Sequence, residues 1–141
     1  MVEGHRITKN KIRRLKVKGE VDYDFKNDIL FFKTKNREYI KSIELDNLIL
    51  DIDSKGFIVG IQIFEASKFL KMDKITLKDV PNWEFSTKTD QIKDGKKTVT
   101  KIEIRLMFQV RIRNRLIEKN PIIMPQPISE GLPNSELTCV A

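Results

Sequence analysis

Between Ile102 and Arg113 the chain alternates without a miss: Ile102, Ile104, Leu106, Phe108, Val110 and Ile112 against Glu103, Arg105, Met107, Gln109, Arg111 and Arg113. A two-residue period sends each set to its own face of a strand, so the segment is a β-strand with one buried face. A one-sided strand needs neighbours and a cover, which commits the chain to a layered, strand-rich architecture. Arg113-Asn114 predicts a two-residue turn, with Arg115 to Glu118 returning as the partner strand. On the other side, Asp94-Gly95 is a turn signal, and Trp83, Phe85 and Thr87 share a parity in the strand before it.

The first half repeats the theme in shorter pieces. Val21, Tyr23 and Phe25 alternate with Asp22 and Asp24, and Lys26-Asn27 predicts a two-residue turn. Asp28 to Thr34 is apolar on both faces, which suits an inner strand. Tyr39, Ile43 and Leu45 share a parity; Asp46-Asn47 turns into Leu48, Leu50 and Ile52; Asp53-Ser54-Lys55-Gly56 turns into Phe57, Val59, Ile61 and Ile63. These five strands read as a meander. From Glu65 to Met72 the spacing of Ala66, Phe69 and Leu70 changes to that of a helix of about two turns, expected to lie on the sheet as a lid. Ile75 to Val80 reads as a further strand ended by Pro81.

Tyr23-Asp24 with Asp28-Ile29-Leu30, then Ile43-Glu44-Leu45, Leu48 to Asp51, Asp53, Gly56, Val59 to Ile63 and Ala66-Ser67 give an ordered pattern. Over about residues 21–70 it resembles the family catalogued as domain of unknown function 2283. The resemblance implies a small β-rich sheet with a short helix and no established activity. Some members resemble the partner half of toxin and antitoxin gene pairs, which points to protein binding.

The net charge of +7 is unevenly placed. Residues 1–20 carry seven cations and two anions, residues 93–119 carry nine and three, and the middle is balanced. Lys101, Arg105, Arg111 and Arg113 fall on the polar parity of the long strand, and Arg115 lies across the turn. Side chains at i and i+2 are about 7 Å apart, comparable to phosphate spacing along a single nucleic-acid strand, so these five are the candidate polyanion-binding residues. The face lacks interleaved aromatics for base stacking, since Phe108 points with the apolar set. A solvated face that blunts strand association accounts for the same charges. Arg6 to Lys18 adds a second basic zone, read either as a mobile arm or as an extra strand over Ile12 to Val17.

Asp22, Asp24, Asp28, Asp51 and Asp53 offer oxygen ligands for a hard cation. Asp53 to Gly56 lacks the closing glutamate of a calcium loop, and turn aspartates bond their own amides, so no metal is assigned. A metal-dependent enzyme using Asp24, Asp28, Asp51 and Asp53 ranks last among the functions. His5 is the sole histidine, and no glycine-rich phosphate loop or paired-cysteine motif is present. Cys139 is the single cysteine. With no apolar run long enough for a bilayer and no secretory signal, the expectation is a cytoplasmic protein with no membrane partner and no cofactor.

The expected fold is α+β and mostly strand: residues 1–19 a basic arm or strand, 20–72 the antiparallel meander with its helix, 73–124 a second antiparallel sheet or long hairpin sharing the core, and 125–141 a Pro-rich tail. Pro121, Pro125, Pro127 and Pro133 argue against an inner strand there, while Ile122, Ile123, Met124 and Ile128 suit cover for a sheet edge. Exposed edges and the missing catalytic set point to a non-enzymatic interaction module, self-associating as a homodimer, with nucleic-acid binding as the alternative.

Overall fold

The computed structural model describes residues 12–141. Among the described residues ten strands and two short helices follow in order: β1 (Arg13–Asp24), β2 (Ile29–Thr34), β3 (Tyr39–Leu45), β4 (Leu48–Asp53), β5 (Ile58–Phe64), α1 (Ala66–Leu70), α2 (Lys74–Lys78), β6 (Trp83–Asp94), β7 (Lys97–Ile112), β8 (Arg115–Lys119), β9 (Ile122–Ile123) and β10 (Ser135–Val140). The strands run in the order β3-β4-β5-β2-β1-β10-β6-β7-β8, with β9 on β7. The expected mostly-β architecture with little helix holds.

β1 belongs to two half-sheets. Its first half pairs in parallel with β10 (Arg13↔Ser135 to Lys18↔Val140), and its second half pairs antiparallel with β2 (Gly19↔Thr34 to Asp24↔Ile29). The change of partner falls at Gly19, where a Cβ would meet the Cys139 Sγ and come within 2.7 Å of the Lys33 carbonyl oxygen. A residue without a side chain lets the strand pass between both partners at the corner. The two halves then face each other: Phe32 on β2 lies 5.5 Å from Trp83 and 5.0 Å from Phe85 on β6, centroid to centroid. Leu30, Leu50, Ile61 and Ile63 from one half and Ile102, Ile104, Leu106 and Leu137 from the other complete a continuous core.

Several sequence expectations change. The first half is no simple meander: β3, β4 and β5 are consecutive hairpins, but β2 pairs with β5. β5 is apolar on both faces and needs an inner position, whereas β3 is largely exposed and takes the edge. The turn after β1 spans four residues, with Asp28 in the left-handed region at φ 57. Ile75 to Val80 is no strand. Asp73 accepts a 2.8 Å hydrogen bond from the Thr76 N–H and starts α2, leaving Ile75 exposed and Leu77 buried. Residues 13–19 are strand, not a mobile arm; residues 1–11, with His5, lie outside the described residues.

The Pro-rich tail is the largest correction, since β10 lies inside the sheet between β1 and β6. Pro125, Pro127 and Pro133 all precede Ser135, so none removes a donor from that strand, and Ser135, Leu137 and Cys139 bury one parity. The segment before it does cover an edge of its own sheet. Ile123 pairs with Ile104, Ile128 exchanges backbone hydrogen bonds with Thr100, and Glu130 pairs with Lys41 of β3.

Candidate functional site

The half-sheet β1-β10-β6-β7 turns one face outward, and register maps it. Lys16 pairs with Thr138, Thr138 with Ser86, and Ser86 with Arg105, so Lys16 and Arg105 share a face. Three strand spacings separate them, about 14 Å. Arg14, Lys16 and Lys18 of the N-terminal basic zone therefore lie on the same face as Lys88, Lys101 and Arg105. Carboxylates are set among them. Along one row Arg14, Glu136, Lys88 and Glu103 alternate in sign, with Arg14 and Glu136 3.8 Å apart. Arg105 lies 3.8 Å from Glu103, and Lys101 is opposite Asp90.

The five predicted polyanion residues do not form a single stripe. Lys101, Arg105 and Arg111 share the outward face. Arg113 and Asn114 are the turn, both left-handed at φ 50 and 64, so the loop has two residues and Ile112 pairs with Arg115. Paired residues share a face, which puts Arg115 on the side opposite Arg111. Lys88 also belongs to the face, and its parity with Ser86, between the buried Thr87 and Thr89, is the sequence signal for it.

The far end of β7 is built differently. Its register with β6 ends at Trp83↔Phe108, so Gln109 to Ile112 continue with β8 as their strand neighbour. Every residue of β8 is exposed. Ile112, Leu116 and Ile117 retain 43%, 55% and 37% of their accessible surface, and Ile75 on α2 retains 66%. Ile75, Val80, Pro81, Val110 and Leu116 line a cleft of about 550 Å³ between α2 and this hairpin. Val110 is buried, whereas the other apolar side chains of this two-stranded end, Ile112, Leu116 and Ile117, stand in water.

The aspartates are engaged elsewhere. Asp28 accepts from the Tyr23 hydroxyl at 2.6 Å, the Ser67 N–H at 3.0 Å and the Ser67 hydroxyl at 2.6 Å, clasping the β1–β2 turn to the start of α1. Burial alone would raise the Asp28 carboxyl, but the bonds from Ser67 and Tyr23 outweigh it and hold the group below the usual carboxylate range. Burial, then the same bond from the other side, pushes the Tyr23 hydroxyl up. Asp53 accepts from the Lys55 and Phe57 N–H groups, both at 2.9 Å, and from Arg37 at 2.6 Å. Asp51 accepts from the Ser42 hydroxyl at 2.7 Å. Among the described residues no three His, Cys, Asp or Glu side chains gather as a metal site would need. Cys139 is buried, and desolvation pushes its thiol up to about 11. No described helix is long and apolar enough to cross a membrane.

A family model, "Protein of unknown function (DUF2283)", matches residues 20–67. That span is the second half of β1, strands β2 to β5 and the start of α1. The Tyr23, Asp28 and Ser67 of its pattern are the three members of the clasp. The chain is 33% identical over 98 residues to a protein of Methanosarcina mazei named "Putative hypoxanthine phosphoribosyltransferase", covering 70% of this chain and 73% of that one. It is 38% identical over 61 residues to an uncharacterized protein of Methanocaldococcus jannaschii, covering 43% of this chain and 53% of the relative. No solved structure matches.

Proposed function

This chain belongs to the DUF2283 family of proteins of unknown function, and we propose that it is a non-enzymatic interaction module that associates with a second copy of itself through the end of the β7–β8 hairpin. The observation that carries this reading is β8, which is exposed along its whole length while bearing Leu116 and Ile117. Covering these side chains with Ile112 and Ile75 contributes about 25 cal/mol for each Å² of apolar surface removed from water. Light scattering across a concentration series tests the proposal. Wild type is expected to reach twice the chain mass, and a Leu116→Lys/Ile117→Lys variant to remain at the single mass while folded. A wild type that stays monomeric at the highest concentration refutes it.

The second reading is nucleic-acid binding, supported by the register that brings Arg14, Lys16 and Lys18 onto one face with Lys88, Lys101 and Arg105. Glu136, Glu103 and Asp90 on the same face weigh against it. Fluorescence anisotropy with mixed-sequence DNA and RNA across salt decides the matter: the reading requires affinity that falls steeply with salt and is lost in a Lys16→Glu/Lys88→Glu/Arg105→Glu variant. Binding unchanged in the variant, or none at low salt, removes it.

A further inference from the structure

A cleft of about 370 Å³ opens at the corner of the sheet, where β1 changes partner, and Val17, Lys18, Lys35, Asn36 and Arg37 line it. We propose that this cleft is an anion site that takes a phosphate group, with Lys18 and Lys35 as mobile point charges and Arg37 as a fixed guanidinium. It is independent of self-association, since no residue of the β7–β8 hairpin belongs to it.

Strand pairing brings the two lysines together. Gly19 pairs with Thr34, and one step further the Lys35 N–H donates to the Lys18 carbonyl oxygen at 2.9 Å. Residues directly opposite in an antiparallel pair share a face, with Cβ atoms about 5 Å apart, so both ammonium groups rise from the outward side of the corner. Like charges in that position destabilise a sheet. Nothing within the fold offsets them: neither lysine forms an ion pair with a described residue, and no carboxylate lines the cleft. Glu20, two residues along the same face, stands opposite Lys33 instead.

Arg37 is anchored where the lysines are free. Asn36, left-handed at φ 63, turns the chain out of β2. The Asp53 Oδ2 then accepts from Arg37 Nε at 3.0 Å and Nη2 at 2.6 Å, and the guanidinium carbon lies 5.5 Å from the centre of the Phe57 ring. Asp53 is itself held by the Lys55 and Phe57 N–H groups on its Oδ1, so it cannot swing out to neutralise the lysines. Nη1 of Arg37 bonds no described residue, which leaves one edge of a positioned guanidinium open. A phosphate group accepts from a guanidinium edge and from rotatable ammonium donors at once, and its negative charge removes the repulsion between Lys18 and Lys35.

Thermal unfolding with sodium pyrophosphate, compared with sodium chloride at equal ionic strength, tests this. At roughly ten times its dissociation constant a bound ligand raises the melting midpoint of a chain this long by about 5 °C. Wild type is expected to show that rise and Lys18→Gln/Lys35→Gln to lose most of it. Lys96→Gln/Lys97→Gln, an equal change of charge at the β6–β7 turn, is expected to keep it. Calorimetric titration of pyrophosphate against an oligothymidylate without a terminal phosphate then distinguishes the sources. Competition makes the ligand a nucleic-acid backbone phosphate, and its absence makes it a small phosphate compound; the site stands in both cases. A pyrophosphate response absent from wild type, equal in Lys18→Gln/Lys35→Gln, or lost as fully in Lys96→Gln/Lys97→Gln overturns the proposal.

Discussion

Asp28 is the residue whose replacement should cost most for its size. Its carboxylate accepts three hydrogen bonds, from the Tyr23 hydroxyl and from the Ser67 amide and hydroxyl, and its backbone is left-handed at φ 57. Each bond to a half-buried carboxylate is worth about 1 kcal/mol net at the low end of such interactions. Alanine removes all three and adds about 1 kcal/mol for a Cβ-bearing residue with no local hydrogen bond in the left-handed region, so Asp28→Ala should destabilise the protein by about 4 kcal/mol. For a chain of this length each kcal/mol moves the melting midpoint about 3 to 4 °C, giving a fall of roughly 14 °C. Asparagine tolerates the same φ and keeps an acceptor and a donor, so Asp28→Asn should cost about 1 kcal/mol. Urea and thermal unfolding at pH 7 measure both, and Tyr23→Phe/Asp28→Ala should cost less than the two single changes added together.

The same site fixes a sign for acid sensitivity. The Asp28 carboxyl is held below its ordinary value in the folded protein, so its contribution is fully present above the unfolded value of 3.8. It is lost as pH falls through that value towards the folded one. The stability gap between wild type and Asp28→Asn should therefore narrow below about pH 4. An Asp28→Ala midpoint within 2 °C of wild type, or a gap that widens in acid, would refute the clasp as the cause.

Two further outcomes test the corner of the sheet. Gly19→Ala should lower the urea midpoint by the equivalent of about 3 kcal/mol, and pairing it with Cys139→Ala should restore part of the loss, because the Lys33 carbonyl still stands within 2.7 Å of the added carbon; full rescue would show that the backbone contact does not matter. Cys139, buried and with its thiol pushed up to about 11, should resist aromatic disulfide reagents at pH 8 in the folded protein and react at once in denaturant; rapid stoichiometric labelling of the native state would contradict its place between β1 and β6.

Local pattern carried a good share of the architecture. The buried parity of β7 from Ile102 to Val110 is the apolar parity of the sequence, and Arg113-Asn114 is the predicted two-residue loop, while the Asp94-Gly95 signal marks a loop that falls one residue later, at Gly95-Lys96. Trp83, Phe85 and Thr87 face the core together. These features depend on period and on which residues tolerate a left-handed turn, and both are properties of a few neighbouring residues. The helix cap at Asp73 was also local, yet Ile75 and Leu77 mimic a strand parity that outweighed it. Of the candidate polyanion set, the outward direction of Lys101, Arg105 and Arg111 was legible in the alternation; the reversal of Arg115 comes from its pairing with Ile112 across the two-residue loop.

What tertiary structure decided is which strands meet. Nothing near Ser135 specifies that it will lie parallel to Arg13, more than a hundred residues away; the pairing arises because β10 there buries Leu137 and Cys139 between β1 and β6 and gives its backbone groups partners on both sides. Nor does a local pattern place β5 beside β2, bring the N-terminal basic zone onto the face of Arg105, or leave the end of β7 projecting beyond β6. The sequence alone determined alternation, turns and the sign of each charge, because these are encoded in adjacent residues. Neighbours across the sheet were chosen by the burial of whole faces, a quantity that exists only once distant segments have come together.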